Sequence, residues 1–173
     1  MLVKKTSTLS QAKKLCETSK KRVIGLTIET RPDWCGKKEI NRMLSYGTTR
    51  VELGVQLPDD EVYKKNVRGH GVKEVVESTR LLKDSCFKVC YHLMPGMYGS
   101  SPKNDFEKLK KVFLEKDFRP DMLKIYPCLV IKGTPLYNLF LQGKFEPLSS
   151  EKAAELIARL KEFIPSYVRI MRI

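Results

Sequence analysis

The fold of this chain is decided by a stretch that reads Arg50-Val51-Glu52-Leu53-Gly54-Val55-Gln56. Every second residue in it is a branched apolar one, which is the period expected of a β-strand. Glu52, Gly54 and Gln56 then share the opposite face, because successive side chains of a strand point to opposite sides. Strands of a parallel sheet that is covered on both faces are almost continuously apolar. The stretch therefore predicts a strand with one face in the core and the other against something polar.

Short apolar runs rich in β-branched residues also lie at about residues 23–29, 87–94, 121–126 and 167–172. With the run at 49–55 they predict five strands. In the first run Ile24, Leu26 and Ile28 form the predicted apolar face. The polar positions of the first, third and fourth runs are Thr27, Glu29, Lys88, Cys90, His92, Lys124 and Tyr126.

Helical periods separate the predicted strands. One covers residues 72–82, another covers 153–164 behind a capping sequence at Ser149, and a third around Ile40 ends at Gly47. Strands that alternate with helices imply right-handed crossovers and a parallel sheet. We therefore predict one α/β domain over residues 1–173. The pattern alone leaves open whether its sheet is open or closed.

The polar faces of the strands favour a ligand site. Burying that many ionisable groups without partners would cost several kcal/mol each. We predict a barrel or half-barrel whose lumen holds a polar ligand, with structural ion pairs across a packed lumen as the alternative. In such folds the chemistry lies at the carboxyl ends of the strands. Those ends carry Glu29, Gln56, His92 and Tyr126.

The charge balance favours a polyanionic partner. The chain has 33 Lys and Arg against 20 Asp and Glu, a formal net charge of +13. An excess of this size is typical of nucleic-acid binding, and a Lys-rich solvated surface is the alternative. No apolar run approaches the ~20 residues that span a bilayer, and the first residues do not resemble a signal peptide. We therefore expect a cytoplasmic protein without a membrane partner.

The cysteines predict neither disulfides nor a metal site. There are five of them, an odd number in a chain without an export signal. Cys86 and Cys90 would lie about 13 Å apart along a strand, too far to share one ion. No pair has the C-x2-C spacing of zinc or iron–sulfur ligands. No metal ligand is therefore expected in this chain.

Six segments, in order from about residue 10 to the end, resemble the catalytic subunit family of the Elongator complex, its archaeal members above all. They are Gly25-Leu26-Thr27-Ile28-Glu29-Thr30-Arg31-Pro32-Asp33, residues 50–56, Asn66-Val67-Arg68-Gly69-His70, Tyr91-His92-Leu93-Met94-Pro95-Gly96, residues 119–127 and residues 168–173. The resemblance implies the C-terminal part of a radical S-adenosylmethionine (SAM) barrel. That is an α/β partial (β/α) barrel with parallel strands, incomplete at its N-terminal side.

The resemblance also implies an activity. In that family the barrel makes a 5′-deoxyadenosyl radical on a 4Fe–4S cluster, and acetyl-CoA supplies the group added at C5 of the wobble uridine of tRNA. The product is a carboxymethyl-type uridine. The cluster cysteines and the acetyltransferase domain are expected outside this chain, so the fragment alone should be inactive. The expected partners are tRNA and the remainder of the same polypeptide, and a homodimer stays open.

Two departures from the family pattern are visible. Residues 56–59 read Gln-Leu-Pro-Asp where the family usually has serine after the glutamine. Residues 97–98 read Met-Tyr where a Leu-Pro pair is more usual. Two other functions stay open: a radical SAM enzyme that acts on a small molecule, and a noncatalytic tRNA-binding module.

By resemblance to related barrels, four residues would bind S-adenosylmethionine. Glu29 would face its amino-acid or ribose part, Gln56 its ribose hydroxyls, and Arg68 its carboxylate, to which a guanidinium fork is suited. His92 stands where related barrels carry a ribose-contacting residue. The structural alternatives are a local salt bridge for Glu29 and Arg68, backbone capping for Gln56, and a core position for His92.

Lys124 and Tyr126 are the candidate catalytic residues. A lumenal lysine could contact acetyl-CoA, a phosphate or the uracil carbonyl, and the tyrosine could stack or donate a hydrogen bond. The alternative pairs Lys124 with Glu52 and packs Tyr126 under a loop. Trp34 and Arg31 could form a base-stacking corner, but packing of Trp34 against the helix near residues 37–46 is favoured.

Overall fold

The computed structural model describes residues 8–173 and contains one open sheet of five parallel strands in the order β1-β2-β3-β4-β5. The strands are β1 (Thr27–Thr30), β2 (Arg50–Gln56), β3 (Lys88–Leu93), β4 (Met122–Ile125) and β5 (Arg169–Arg172). Strands that follow each other in the chain are neighbours in the sheet, as the alternation of strands and helices predicts.

Helices connect the strands. They are α1 (Leu9–Thr18), α2 (Lys37–Tyr46), α3 (Asp60–Lys65), α4 (Val72–Asp84), α5 (Pro102–Leu114), α6 (Pro135–Leu141) and α7 (Ser150–Lys161), with a 3₁₀ turn at Pro32–Trp34. The predicted helix ends are confirmed at two places. Gly47 closes α2 with a left-handed φ of 80°, and the Ser149 side chain accepts a hydrogen bond from the backbone of Lys152.

The core lies on the apolar face of the sheet. Val51, Leu53 and Val55 have no exposed surface, and Leu82 of α4 and Leu109 of α5 are equally buried (0% exposed). The helices therefore cover the side of the strands that the alternation marks as apolar, and the polar side faces away from this core.

The first strand is shorter than predicted. It begins at Thr27, and Ile24, expected on its apolar face, is 96% exposed. The reason lies in the register, because Thr27 is paired with Arg50, the first residue of β2. Residues 23–25 consequently have no strand opposite them, and an apolar side chain there has no neighbour to pack on.

The register also aligns the polar face. Glu29 pairs with Glu52, which pairs with Cys90, and His92 pairs with Lys124. Residues in register on neighbouring strands have side chains within contact distance. Polar residues that are distant in the chain therefore form one surface across four strands.

Candidate functional site at the strand ends

A small cradle lies at the carboxyl end of β2, and we call Gly54, Gln56 and Arg68 the Gly54 cradle. Arg68 Nη2 donates a 2.8 Å hydrogen bond to the Gly54 carbonyl. A Cβ at Gly54 would lie 3.2 Å from both Arg68 Nη2 and Gln56 Nε2. Two hydrogen-bond donors thus converge over a residue that has no side chain, and only glycine allows this approach without displacing them.

Gln56 owes its place to an irregular backbone. Its φ is 64°, in the left-handed region that non-glycine residues rarely adopt, and the pairing of β2 with β3 shifts register between Leu53 and Gln56. The Gln56 carbonyl still accepts a 2.8 Å hydrogen bond from the Met94 backbone. Backbone of this kind costs about 1–3 kcal/mol and concentrates at ligand sites.

Arg68 has an unused donor. Its Nε is buried and has no hydrogen-bond partner among residues 8–173. Burial lowers the pKa of Arg68, and no ion pair with a carboxylate compensates within the described part of the chain. The local salt bridge considered as an alternative for Arg68 is therefore not formed there. A buried donor without a partner costs about 1–3 kcal/mol, and a bound carboxylate would supply the missing acceptor.

His70 is a buried residue close to Arg68 of the cradle. Its side chain has no exposed surface, and neither ring nitrogen has a hydrogen-bond partner among the described residues. Nδ1 lies 3.6 Å from Asp33 Oδ1, and the ring contacts that of Tyr63 at 4.9 Å between centroids with the planes tilted by 56°. Burial, followed by the charge of Arg68, lowers the pKa of His70. The imidazole is therefore neutral at pH 7.

A second polar cluster lies deeper on the same face, and we call Glu29, Arg50, Glu52, His92 and Lys124 the Glu52 network. The Glu52 side chain is 4% exposed. Its Oε2 accepts from His92 Nε2 at 2.6 Å and from Lys124 Nζ at 2.5 Å, and Arg50 Nε lies 3.4 Å from its Oε1. Each carboxylate of this network thus contacts at least one basic side chain, although the buried Arg50 Nε makes no hydrogen bond within residues 8–173.

The network stabilises its own ionised state. Burial opposes ionisation of Glu52, but the hydrogen bonds from Lys124 and His92 outweigh it and hold its pKa below the ordinary value. The hydrogen bond to Glu52 raises the pKa of Lys124. Lys124 is therefore a fixed cation, and the pairing with Glu52 that the sequence offered as the alternative is the one formed.

The two remaining candidates are Glu29, at the exposed edge of this network, and Tyr126, beside it. Glu29 is 63% exposed and its Oε1 is 3.3 Å from His92 Nδ1, so His92 bridges an exposed and a buried carboxylate. The ring of Tyr126 meets that of His92 edge-on at 6.0 Å between centroids. The structure thus brings Glu29, His92, Lys124 and Tyr126 together on the polar face of the sheet. They gather around Glu52, which lies two residues before Gly54 in β2.

One group of side chains has the donor atoms that a metal ion would need. Glu52, Cys90 and His92 offer ligand atoms within 4.8 Å of one another. The Lys124 ammonium already occupies Glu52, and burial followed by the charge of Glu52 raises the pKa of Cys90 to about 12. Two features thus oppose a cation. No such group in residues 8–173 contains more than one cysteine, so the described residues do not fit a 4Fe–4S cluster.

Trp34 departs from its favoured prediction. The indole is 61% exposed, so most of its surface is not packed against α2 or any other element. His70 and Gly54 were not among the predicted site residues, and Glu52 was predicted only to lie on the polar face and as a possible partner of Lys124. One signal was available for Glu52, since it is an acid in the middle of an otherwise apolar strand. For His70 no signal in the sequence separates a buried imidazole from an exposed one.

None of the helices in the described part of the chain is long and apolar enough to cross a bilayer. This finding agrees with the absence of a long apolar run in the sequence.

Comparison with known proteins shows which family this chain resembles. The model of the radical SAM superfamily matches residues 3–112, and that of the radical SAM C-terminal domain matches residues 120–173. A tRNA uridine(34) acetyltransferase of Methanocaldococcus infernus is 51% identical over 170 residues, which are 98% of this chain and 32% of the relative. Human Elongator complex protein 3 is 43% identical over 97% of this chain and 31% of its own length.

Solved structures agree. The archaeal Methanocaldococcus infernus Elp3 with an N-terminal deletion (1–46) superposes with a TM-score of 0.94 at 52% identity, over 97% of this chain and 39% of that one. Coproporphyrinogen III oxidase (HemN) of Escherichia coli, a radical SAM enzyme, superposes with a TM-score of 0.66 at 17% identity, over 90% of this chain and 36% of that one. The predicted partial barrel is confirmed. The chain spans about a third of the length of the relatives it matches.

Proposed function

The chain belongs to the radical SAM superfamily, and on that premise we propose that it is part of a tRNA-modifying enzyme that installs a carboxymethyl-type group at C5 of the wobble uridine. The names of the relatives at 51% and 43% identity support this reaction. Acetyl-CoA is the proposed co-substrate. The cluster ligands and the acetyltransferase domain are proposed to lie in polypeptide beyond residues 1–173, where the relatives are longer.

One observation carries the proposal: the Gly54 cradle presents an unpaired cationic donor at the carboxyl ends of the strands. S-adenosylmethionine is a zwitterionic amino acid joined to a nucleoside. Its carboxylate fits the guanidinium fork of Arg68, which can bind both oxygens, and its ribose hydroxyls fit the amide of Gln56. When bound, the cofactor supplies a 5′-deoxyadenosyl radical.

The exposed edge of the Glu52 network completes the cofactor contacts. We assign Glu29 to the amino group or ribose of the cofactor, because its carboxylate is 63% exposed and its only described ionic partner is His92. His92 is 11% exposed and held between two carboxylates, so it can present a ring edge without turning. Its proposed role is a contact with the ribose.

Lys124 and Tyr126 are assigned to the substrate. Because Lys124 stays cationic, it serves as a fixed positive charge and not as a base. A cation in this position stabilises negative charge on a uracil carbonyl or a phosphate. Tyr126, with its ring against His92, can stack on the base or donate its hydroxyl. The net charge of +13 favours an RNA substrate.

The test is cleavage of S-adenosylmethionine by the full-length, cluster-reconstituted protein with tRNA, comparing wild type with Arg68→Ala and Gln56→Ala. We expect cleavage to fall at least tenfold in Arg68→Ala, because a hydrogen-bonded charge pair contributes about 1.5–3 kcal/mol. Mass spectrometry of the digested tRNA follows the uridine product. Cleavage that is unchanged in both variants removes the cofactor assignment. Cleavage without a tRNA product removes the substrate assignment.

A further inference from the structure

Trp34 is an exposed indole in a turn that also contains buried residues. Pro32 is buried and Cys35 is 1% exposed, whereas Trp34 is 61% exposed. Large aromatic side chains are seldom left in water on a rigid element, because their burial is worth several kcal/mol. The three residues form the 3₁₀ turn and its end, directly after β1, at the same edge of the sheet as the Gly54 cradle.

The turn is fixed on both sides. The Trp34 backbone donates to the Arg31 carbonyl at 3.0 Å, and the Cys35 backbone donates to the Pro32 carbonyl at 3.2 Å. Arg31 and Asp33 form an ion pair through two hydrogen bonds, and buried His70 lies behind Asp33. The backbone that carries the indole is therefore ordered before any ligand arrives, which reduces the ordering cost of binding.

The segment around the indole carries the cations Arg31, Lys37 and Lys38 against the acids Asp33 and Glu39, an excess of one positive charge. The Arg31 side chain is 48% exposed and its guanidinium lies against Gly69, whose added Cβ would be 3.2 Å from Arg31 Nη2. Lys37 and Lys38, both exposed, begin α2 three residues after Trp34. An aromatic face bordered by Lys and Arg is the combination with which proteins bind single-stranded nucleic acid. A hydrophobic protein-docking site would instead be depleted of lysine.

We propose that Trp34 stacks on an unpaired base of the RNA substrate while Arg31, Lys37 and Lys38 contact the neighbouring phosphates. This inference rests on the proposed function, because it takes tRNA as the substrate. An unpaired base exposes both of its faces, as the bases of an anticodon loop do, whereas a paired base in a helix does not. The surface therefore selects loop nucleotides and not the stem.

The chain offers a matched control. Tyr167 is an aromatic residue that is 56% exposed, and it lies two residues before β5, at the amino ends of the strands. It is thus as accessible as Trp34 but on the opposite edge of the sheet. Removal of either side chain exposes no core, so both variants are expected to fold.

The experiment measures the affinity of the full-length protein for a fluorescently labelled anticodon stem-loop by anisotropy. We expect Trp34→Ala to weaken binding about tenfold, Trp34→Phe to keep most of the affinity, and Tyr167→Ala to change it less than twofold. The slope of affinity against salt concentration should be the same in wild type and Trp34→Ala, because no cation is removed. Binding of a fully paired RNA should not change in either variant.

Intrinsic fluorescence gives a second, direct measurement. The difference between wild type and Trp34→Phe isolates the emission of Trp34, and we expect RNA to quench it. If the stem-loop binds while Trp34→Ala binds equally well and the emission stays constant, the stacking inference is wrong and the proposed function stands. If the wild type binds no tRNA, the proposed function fails first. Dimers in wild type that dissociate in Trp34→Ala, with RNA affinity unchanged, would instead identify a protein interface and overturn the inference.

Discussion

The Gly54 cradle and the Glu52 network lie on the same face of β2, two residues apart, yet they differ in one respect. Each charge of the network has a partner, with Glu52 bound by His92 and Lys124. The cradle keeps a buried Arg68 Nε that has none among the described residues. Arg50 Nε in the network also lacks a hydrogen bond, but Glu52 Oε1 lies 3.4 Å from it, whereas no carboxylate of residues 8–173 forms an ion pair with Arg68.

This difference teaches that a polar strand face can serve two purposes at once. The sequence offered two explanations for it, a lumen lined for a ligand and a packed set of ion pairs. The ion pairs are present at position 52 of β2, and the ligand site is the part that we propose for the cradle at position 54. The acid is bound by donors from β3 and β4, whereas the glycine allows Arg68 Nη2 and Gln56 Nε2 to approach the backbone closely.

The strongest test of the comparison is Glu52→Gln. The variant keeps the shape of the side chain but leaves Lys124 and Arg50 without their negative partner. We expect the free energy of unfolding to fall by about 3 kcal/mol, the usual cost of removing one partner from a buried ion pair. Denaturant unfolding measures this value.

The control for this variant is Asp84→Asn. It removes the exposed pair between Arg80 and Asp84, whose side chains are 62% and 65% exposed, and it should change stability by less than about 0.5 kcal/mol. An equally small change in Glu52→Gln would mean that the network does not hold the fold together.

Arg68→Met should differ from Glu52→Gln, because it should change ligand affinity and hardly change stability. The long apolar side chain fills a similar volume and removes a buried donor that has no partner, which offsets the loss of the hydrogen bond to the Gly54 carbonyl, so stability should change by less than about 1 kcal/mol. Affinity for S-adenosylmethionine should fall about 20-fold, because a charged hydrogen bond to its carboxylate is lost. Equilibrium binding to the full-length protein measures the affinity.

Arg68→Lys sharpens this test. A lysine keeps the charge but loses the planar fork, so partial recovery of affinity is expected. A large loss of stability in Arg68→Met with unchanged affinity would reverse the roles of the two regions.

A smaller effect is expected from Gly54→Ala. The new methyl group would approach Arg68 Nη2 and Gln56 Nε2 to 3.2 Å, and the ends of both side chains must move by a few tenths of an ångström. We expect affinity for S-adenosylmethionine to fall about fivefold with little change in stability, because flexible side-chain ends relax more easily than backbone. Gly143→Ala serves as a control for the methyl group alone, since no atom lies within 4 Å of the Cβ position there, although its φ of 68° adds strain.

The sequence predicts the Glu52 network better than the cradle. Alternation along the strands puts Glu52, His92 and Lys124 on one face, and strands that are consecutive in the sheet bring them together. The pairing of Lys124 with Glu52 was accordingly among the two alternatives. Periodicity is a property of regular strands, so it predicts which side chains share a face only where the strands are regular.

The cradle depends on features that periodicity does not contain. Gln56 reaches Gly54 only because β2 shifts register and its φ is 64°. Arg68 comes from a loop whose path follows from α3 and not from any strand pattern. The same limit applies to Ile24, which alternates correctly but lies before the first residue that β2 can pair with. Tertiary pairing, and not local pattern, decided these positions.

The last prediction is that the cradle, through His70, and the Glu52 network lose their contributions to stability at different pH values. Burial and the charge of Arg68 lower the pKa of His70 below its ordinary value of 6.5. As pH falls below 6.5 the unfolded chain takes up a proton that the folded protein does not, so this contribution to stability is complete above pH 6.5 and is lost as pH falls toward the lowered pKa. The pKa of Glu52 is lowered too, but from 4.5, so the network keeps its contribution until pH falls below that value.

His70→Phe removes the loss of stability that His70 causes as pH falls below 6.5. It keeps a ring against Tyr63, and Arg31, Asp33 and Arg68 are the charged groups around it. Unfolding free energy measured between pH 7.5 and 5 should fall less steeply in the variant than in wild type, with a difference of at most about 1.4 kcal/mol per pH unit for one proton. Arg68→Met should flatten the wild-type curve in the same direction, because the charge that helps to lower the pKa of His70 is gone. Parallel curves for all three proteins would show that the imidazole titrates alike in the folded and unfolded chains, and that the cradle does not hold an unbalanced positive charge.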